Sequence, residues 1–137
     1  MIKAIIFDFD GVIIESVNIK TEAFRELFRN YPQKVDAVVK YHLSNGGISR
    51  FVKFRYIYEH ILGQKLSPEK EAELGKRFAE IVFEKVIVAS LVSGAKEFLD
   101  KNKNKYYFFV ASGTPEEELL KIIKLKGLQD YFKEIYG

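Results

Sequence analysis

The chain has no cysteine and no tryptophan, one methionine, three prolines and two histidines among its 137 residues. Without cysteine there is no disulfide framework, no thiolate zinc site and no cysteine nucleophile, and the absence fits any redox compartment. Neither sign of charge dominates, since 22 Lys and Arg against 19 Asp and Glu leave a formal net charge of +3. So small an excess does not point to nucleic acid, whose readers concentrate basic charge on one face. No run approaches the roughly 18 consecutive apolar residues of a membrane span. The apolar start, Ile2 to Phe7, is broken by Asp8 and Asp10, so it does not make a signal-peptide core. The expectation is a soluble, cytoplasmic chain that meets neither nucleic acid nor a membrane.

What is present suits one globular domain. Twelve Phe and eight Tyr supply a core. Lys3–Asp8 is short, β-branched and aromatic, and reads as a strand buried on both faces. Phe24, Leu27, Phe28 and Tyr31 then repeat at helical spacing until Pro32. A short helix over about 34–43, a loop at Ser44-Asn45-Gly46-Gly47 and a helical stripe from Phe51 to Leu62 follow, the last ended by Gly63. Ser67-Pro68 opens another helix as N-cap and first residue, with Leu74, Phe78, Ile81 and Val82 on its inner face. Residues 15–89 thus read as helices alone. Beyond them come a short helix over 94–102, a solvated basic turn at 101–105 and a second buried strand, Tyr106–Ala111. Thr114-Pro115-Glu116-Glu117 reads as a capping box, Gly127 as the C-terminal glycine of that helix, and Glu134-Ile135-Tyr136 as a third strand.

Strands alternating with helices imply a parallel α/β sheet with right-handed crossovers. The boundaries expected are an α/β core at 1–14 and 90–137 and a helical insert at 15–89.

Two groups of residues lie where parallel strands end, the place where open α/β sheets bind ligands. The first is Asp8-Phe9-Asp10-Gly11. Residues i and i+2 of a strand point the same way, so both carboxylates can face one cavity. Two close anions are costly unless a cation or a shared proton relieves them, and oxygen ligands suit Mg²⁺. A bare Asp-x-Asp equally fits a solvated strand end. The second is Ser112-Gly113-Thr114, a hydroxyl and backbone N–H groups at a helix N-terminus, which suits an anion. It also fits a plain strand-to-helix turn.

Taken in order, Asp8-Phe9-Asp10-Gly11-Val12, a helical insert, Ala111-Ser112-Gly113-Thr114-Pro115, then Gly127-Leu128-Gln129-Asp130-Tyr131-Phe132 and Ile135-Tyr136-Gly137 resemble the haloacid dehalogenase-like (HAD) hydrolase superfamily. The resemblance covers essentially the whole chain. The insert is similar to the C1 cap of the phosphoglycolate phosphatase and β-phosphoglucomutase subclass. It implies a Rossmannoid parallel sheet, here of about three strands, with a helical cap inserted after the first. It also implies a phosphatase acting on a small phosphorylated metabolite, a sugar phosphate or a phosphoglycolate-like ester, with a β-phosphoglucomutase-type phosphomutase as an alternative. Asp8 matches the nucleophile that forms an aspartyl-phosphate, and Asp10 the general acid/base. Mg²⁺ is held in the family by the first Asp side chain and the backbone carbonyl of the second. Ser112 and Gly113 match the residues that bind the transferring phosphoryl group. Gly46-Gly47-Ile48-Ser49-Arg50 resembles the cap segment whose Arg grips an anionic part of the substrate, which makes Arg50, then Lys53, candidates for substrate contact. Two ordinary surface cations on a helix are the plainer reading of that pair. His42 and His60 are read as non-ligands.

The family's charge-neutralising Lys and its acidic Gly-Asp-x-x-x-Asp cluster have no counterpart in the chain. The strand carrying that cluster would lie beyond the first strand, so Lys3–Asp8 is expected to be an apolar edge open to a second copy or a complementing chain. Three readings stay open: a piece of a longer phosphatase, a chain completed by a partner or a dimer, and a non-catalytic module that binds phosphate or self-associates.

Overall fold

The computed structural model describes residues 1–137. Strands β1 (Ala4–Phe7), β2 (Tyr107–Ala111) and β3 (Phe132–Tyr136) form one parallel sheet in that order. The chain leaves β1 for helices α1 (Val17–Leu27), α2 (Val35–Ser44), α3 (Arg50–Tyr56) and α4 (Pro68–Val86). It returns through α5 (Ala95–Asn102) to β2, and α6 (Glu116–Leu125) leads to β3. Two compact units result: Met1–Val17 with Lys85–Gly137, which holds the sheet, and Asn18–Glu84, which is helical. No helix is long and apolar enough to cross a membrane.

In the sheet unit, register sorts the side chains. Ile5 sits beside Phe108 and Phe7 beside Val110. On this face the Phe7 ring meets Phe98 of α5, Phe108 and Phe132 edge-on at 5.4–6.3 Å. Buried Leu99, Leu119, Ile122 and Ile123 complete the core. The other face carries Ala4 beside Tyr107 and Ile6 beside Phe109, with Ile6 69% and Tyr107 57% exposed. The expectation of a first strand buried on both faces therefore fails on one of them. β1 is an edge strand, and its second face stays open to solvent.

The helical unit is built on aromatic rings. Phe24, Phe28, Phe54 and Phe78 are almost wholly buried, and Phe24 packs against Phe78 at 5.0 Å and Phe54 at 5.7 Å between centroids. Truncating a ring in such a cluster costs about 3–5 kcal/mol. Gly75 of α4 admits the Phe51 ring so closely that a Cβ there would lie 2.6 Å from it. The stripe from Phe51 to Leu62 is not one regular helix: after α3 the chain widens into a π-helical turn over Ile57–Leu62 before Gly63 ends it. Apolar spacing cannot distinguish that change of pitch, because both forms keep Ile57 and Tyr58 buried. Ser67 behaves as read, its Oγ accepting the Lys70 N–H at 3.1 Å.

Candidate active site

The Asp8–Asp10 segment leaves the C-terminal end of β1, and Ser112 follows the last residue of β2. Because the two strands are parallel neighbours, with Phe7 beside Val110, both segments emerge at the same edge of the sheet. Phe9 is 1% exposed and anchors the turn between the two aspartates. Its carbonyl accepts the N–H groups of Val12, Ile13 and Ile14. Gly11 then takes φ +74°, and a Cβ there would sit 2.8 Å from Val17 Cγ2. Both the left-handed backbone and the space require glycine.

The turn brings Asp10 to three hydroxyls. Ser16, fully buried, donates from Oγ to Asp10 Oδ1 at 2.6 Å. Ser112 Oγ and Thr114 Oγ1 each approach Asp10 Oδ2 at 3.3 Å. The Ser16 bond is short and firm, whereas the other two are long for O–H···O pairs. Ser112 Oγ also accepts the Thr114 N–H at 3.1 Å, and the Ser112 N–H donates to Tyr136 O at 3.0 Å, tying the loop to β3. Gly113 lies exposed between the two hydroxyl residues. Asp8 is exposed as well, and its Oδ1 accepts the Phe9 N–H at 2.7 Å.

Two of these contacts go beyond the sequence reading: Thr114, read within the Ser112-Gly113-Thr114 segment, meets a carboxylate, and Ser16 joins the site. Thr114 was expected to cap the following helix. In the structure α6 begins at Glu116, Pro115 precedes it without a side-chain cap, and the Thr114 hydroxyl turns to Asp10. A capping box satisfies backbone donors only locally, whereas a carboxylate is the stronger acceptor. Ser16 carried no motif. Its only signal is a hydroxyl residue soon after the Asp-x-Asp-Gly turn, on a loop that folds back beneath it.

Every side-chain donor collected at this sheet end is an oxygen. That set suits a hard divalent cation such as Mg²⁺, which binds through one or two carboxylates and keeps several waters or phosphate oxygens. Asp8 and Asp10 are the carboxylates that could hold it. No group of three His, Cys, Asp or Glu side chains able to hold a metal occurs in the chain.

Arg50 and Lys53 belong to the helical unit, and neither is an ordinary surface cation: they are 5% and 3% exposed. Arg50 Cζ lies 4.6 Å from the Phe78 ring centroid, and Lys53 Nζ 5.7 Å from that of Phe24. Lys53 Nζ also lies 3.0 Å from His42 Nδ1 and donates to the His42 carbonyl at 3.3 Å. Burial first, then the charges of Lys53 and Lys20, pushes the His42 imidazole down to about 4 from its usual 6.5. The unfolded chain therefore binds a proton near pH 6.5 that the folded chain refuses until about pH 4. Between those values the unfolded state holds more protons, so stability falls as pH falls. The loss is expected to be on the order of 2 kcal/mol, seen as a lower urea midpoint at pH 4.5 than at pH 7. A His42→Asn variant should lose that part of the slope, and an unchanged slope would show that His42 is not held neutral.

The family model for haloacid dehalogenase-like hydrolases matches residues 2–137. The chain belongs to that family. Among relatives, it is 36% identical over 81 residues to YhcW of Bacillus subtilis (strain 168), provisionally named a phosphatase, a match spanning 58% of this chain and 36% of YhcW. Among solved structures, β-phosphoglucomutase from Clostridium difficile superposes with a TM-score of 0.75 at 21% identity, over 98% of this chain and 61% of that one. A phosphoglycolate phosphatase, so assigned by prediction, from Haemophilus somnus 129pt gives 0.73 at 17% identity, over 99% of this chain and 62% of its own. The chain thus spans less than two thirds of the length of each. At such identities the structural likeness establishes the HAD-like fold, a parallel sheet with helices, and no more.

Proposed function

We propose that this HAD-like chain carries the phosphoryl-transfer centre of a Mg²⁺-dependent phosphatase acting on a small phosphorylated metabolite, such as a sugar phosphate or a phosphoglycolate-like ester. One observation carries the reading: the ends of β1 and β2 set the Asp10 carboxylate against the hydroxyls of Ser112 and Thr114, residues more than a hundred positions away in sequence. Such a convergence of acid and hydroxyl donors at the C-terminal edge of a parallel sheet suits a tetrahedral oxyanion.

In this reading Asp8 attacks phosphorus through a carboxylate oxygen. The bond from phosphorus to the ester oxygen breaks, and Asp10 gives that oxygen a proton, releasing an alcohol and leaving an aspartyl-phosphate. Water then attacks the phosphorus, Asp10 takes its proton, and inorganic phosphate leaves as Asp8 is restored. Ser112 Oγ and the Gly113 N–H hold the phosphoryl oxygens, and Ser16 keeps Asp10 oriented. Asp8 and Asp10 would hold Mg²⁺, which when bound offsets the negative charge gathered at the phosphoryl group. The helical unit acts as the cap, in which Arg50 and Lys53 meet an anionic part of the substrate.

The test is hydrolysis of an aryl phosphate. Turnover is expected with Mg²⁺ and to be lost on chelation, then regained when Mg²⁺ is returned in excess. A metal-independent rate would sink the cofactor assignment. The second reading, a phosphate-binding module without turnover, is favoured by the want of a third acidic side chain beside Asp8 and Asp10. It predicts phosphate binding with no hydrolysis at any Mg²⁺ concentration. For partners, we propose self-association of two copies along the open side of β1.

A further inference from the structure

The basic turn at 101–105 has no place in the mechanism above. It lies at the far end of the sheet unit from Asp10 and Ser112: Tyr107 opens β2, whereas Ser112 follows its last residue, about 16 Å on along an extended strand. A cavity of about 520 Å³ opens at this end, where β2 and β3 begin. Lys103 and Asn104 of the turn line it together with Tyr107 and Lys133 of the two strands. Each lysine is held by an aromatic ring. Lys133 Nζ lies 5.2 Å from the Tyr107 ring centroid, and Lys103 Nζ 5.8 Å from that of Tyr131, which also lines the cavity. Tyr131 is itself fixed, its hydroxyl bonded to Asp100 and 2.9 Å from Lys96 Nζ. The Asp100 carboxylate is paired with Lys96 at 2.9 Å, and neither Lys103 nor Lys133 forms a salt bridge. A ring face orients an ammonium without neutralising it, so its N–H donors stay available to an anion. The turn is pre-formed as well, because the Asn102 carbonyl accepts the Lys105 and Tyr106 N–H groups at 2.8 and 3.1 Å.

We propose that this cavity is a second binding site, separate from the phosphoryl-transfer centre, and that it takes a nucleoside monophosphate. The proposal does not depend on the phosphatase reading. Size argues against a bare anion: a cavity of this volume falls in the range that holds a whole small ligand, and a lone phosphate would leave most of it empty. Chemistry then narrows the ligand. Lys103 and Lys133 suit a phosphate. Lys133 takes one face of the Tyr107 ring, and with Tyr107 57% exposed the ring keeps surface on which a base stacks. Asn104 and Gln129, both lining residues, each offer a donor and an acceptor, the pair of functions that a base edge presents. Asp130 is the one carboxylate of the lining. It would repel a second phosphate but accepts hydrogen bonds from ribose hydroxyls. A sugar phosphate would leave the ring and amides unmatched, and a free nucleoside would leave the two cations unmatched.

Amide NMR titration of the full ¹⁵N-labelled chain tests this, because it reports where a ligand sits as well as how tightly. The probes are adenosine monophosphate, adenosine and inorganic phosphate, each added in the presence of EDTA so that no Mg²⁺ draws phosphate to Asp8 and Asp10. Adenosine monophosphate is expected to move the amides of residues 103–108 and 129–133. Adenosine and inorganic phosphate, each bringing half of the contacts, should bind there about tenfold more weakly or worse. The double variant Lys103→Gln/Lys133→Gln is expected to weaken the nucleotide about tenfold. Both lysines are exposed, so its urea midpoint should match that of wild type, and a loss of affinity then reports the charges and not the fold. Several results would overturn the proposal. These are no binding of the nucleotide, shifts confined to residues 8–14 and 112–116, and an affinity unchanged in the double variant. Inorganic phosphate binding at 103–108 as tightly as the nucleotide would overturn it too, because nothing beyond the anion would then be recognised.

Discussion

Replacing Asp8 by asparagine is expected to lower aryl-phosphate turnover about a thousandfold or more, with little change in KM. An amide oxygen is too weak a nucleophile to displace an alkoxide from phosphorus, so the covalent route closes. The substitution is unusually clean for this fold. Asp8 is exposed, and the contact described for its side chain is the Phe9 N–H on Oδ1, which an asparagine oxygen accepts equally well. The urea midpoint should stay near that of wild type, separating chemistry from folding. Wild-type turnover by Asp8→Asn would remove Asp8 from the nucleophile's role. Ser16→Ala makes an instructive companion, because it takes the firm 2.6 Å bond from Asp10 and leaves Asp8 untouched.

The second large effect is expected in assembly. β1 pairs with β2 alone, so its other edge offers unpaired backbone groups, and Ile2 and Ile6 stand 70% and 69% exposed at that strand. Natural proteins avoid an apolar, open edge of this kind by charging or covering it. Parallel sheets in particular are found with both faces covered. The wild-type chain is therefore expected to sediment as a dimer at micromolar concentration. Ile6→Lys should weaken that association about a hundredfold, placing a charge on the joining strand while leaving the Phe7 side of the sheet intact. A clean, cooperatively melting wild-type monomer would contradict self-association. An Ile6→Lys dimer as tight as wild type would place the contact elsewhere.

Much of the sheet unit was legible in the sequence. Its first two strands are short apolar runs, and the Asp-x-Asp and Ser-Gly segments stand where those runs stop. What escaped were contacts made across the chain. Ser16 and Thr114 look like loop and cap residues because their local spacing says nothing about a carboxylate that the sheet brings to them. Lys53 and Arg50 follow one another at helical spacing and look like solvated charges, yet both are buried. His42, with no second histidine four residues away, gave no ligand signal. Its partner is eleven residues further on, on the next helix. The turn from α3 into a π-helical segment was hidden for a related reason, since insertion of one residue per turn barely disturbs a pattern of apolar positions.

The path of the chain carries one more consequence. The helical unit is a single unbroken stretch, Asn18–Glu84, entered and left once, while the sheet unit is sewn together from both sides of it. A segment inserted in this way behaves as a cassette. It can be lengthened, reshaped or exchanged whole while the pairing of β1 with β2 still brings Asp10 to Ser112.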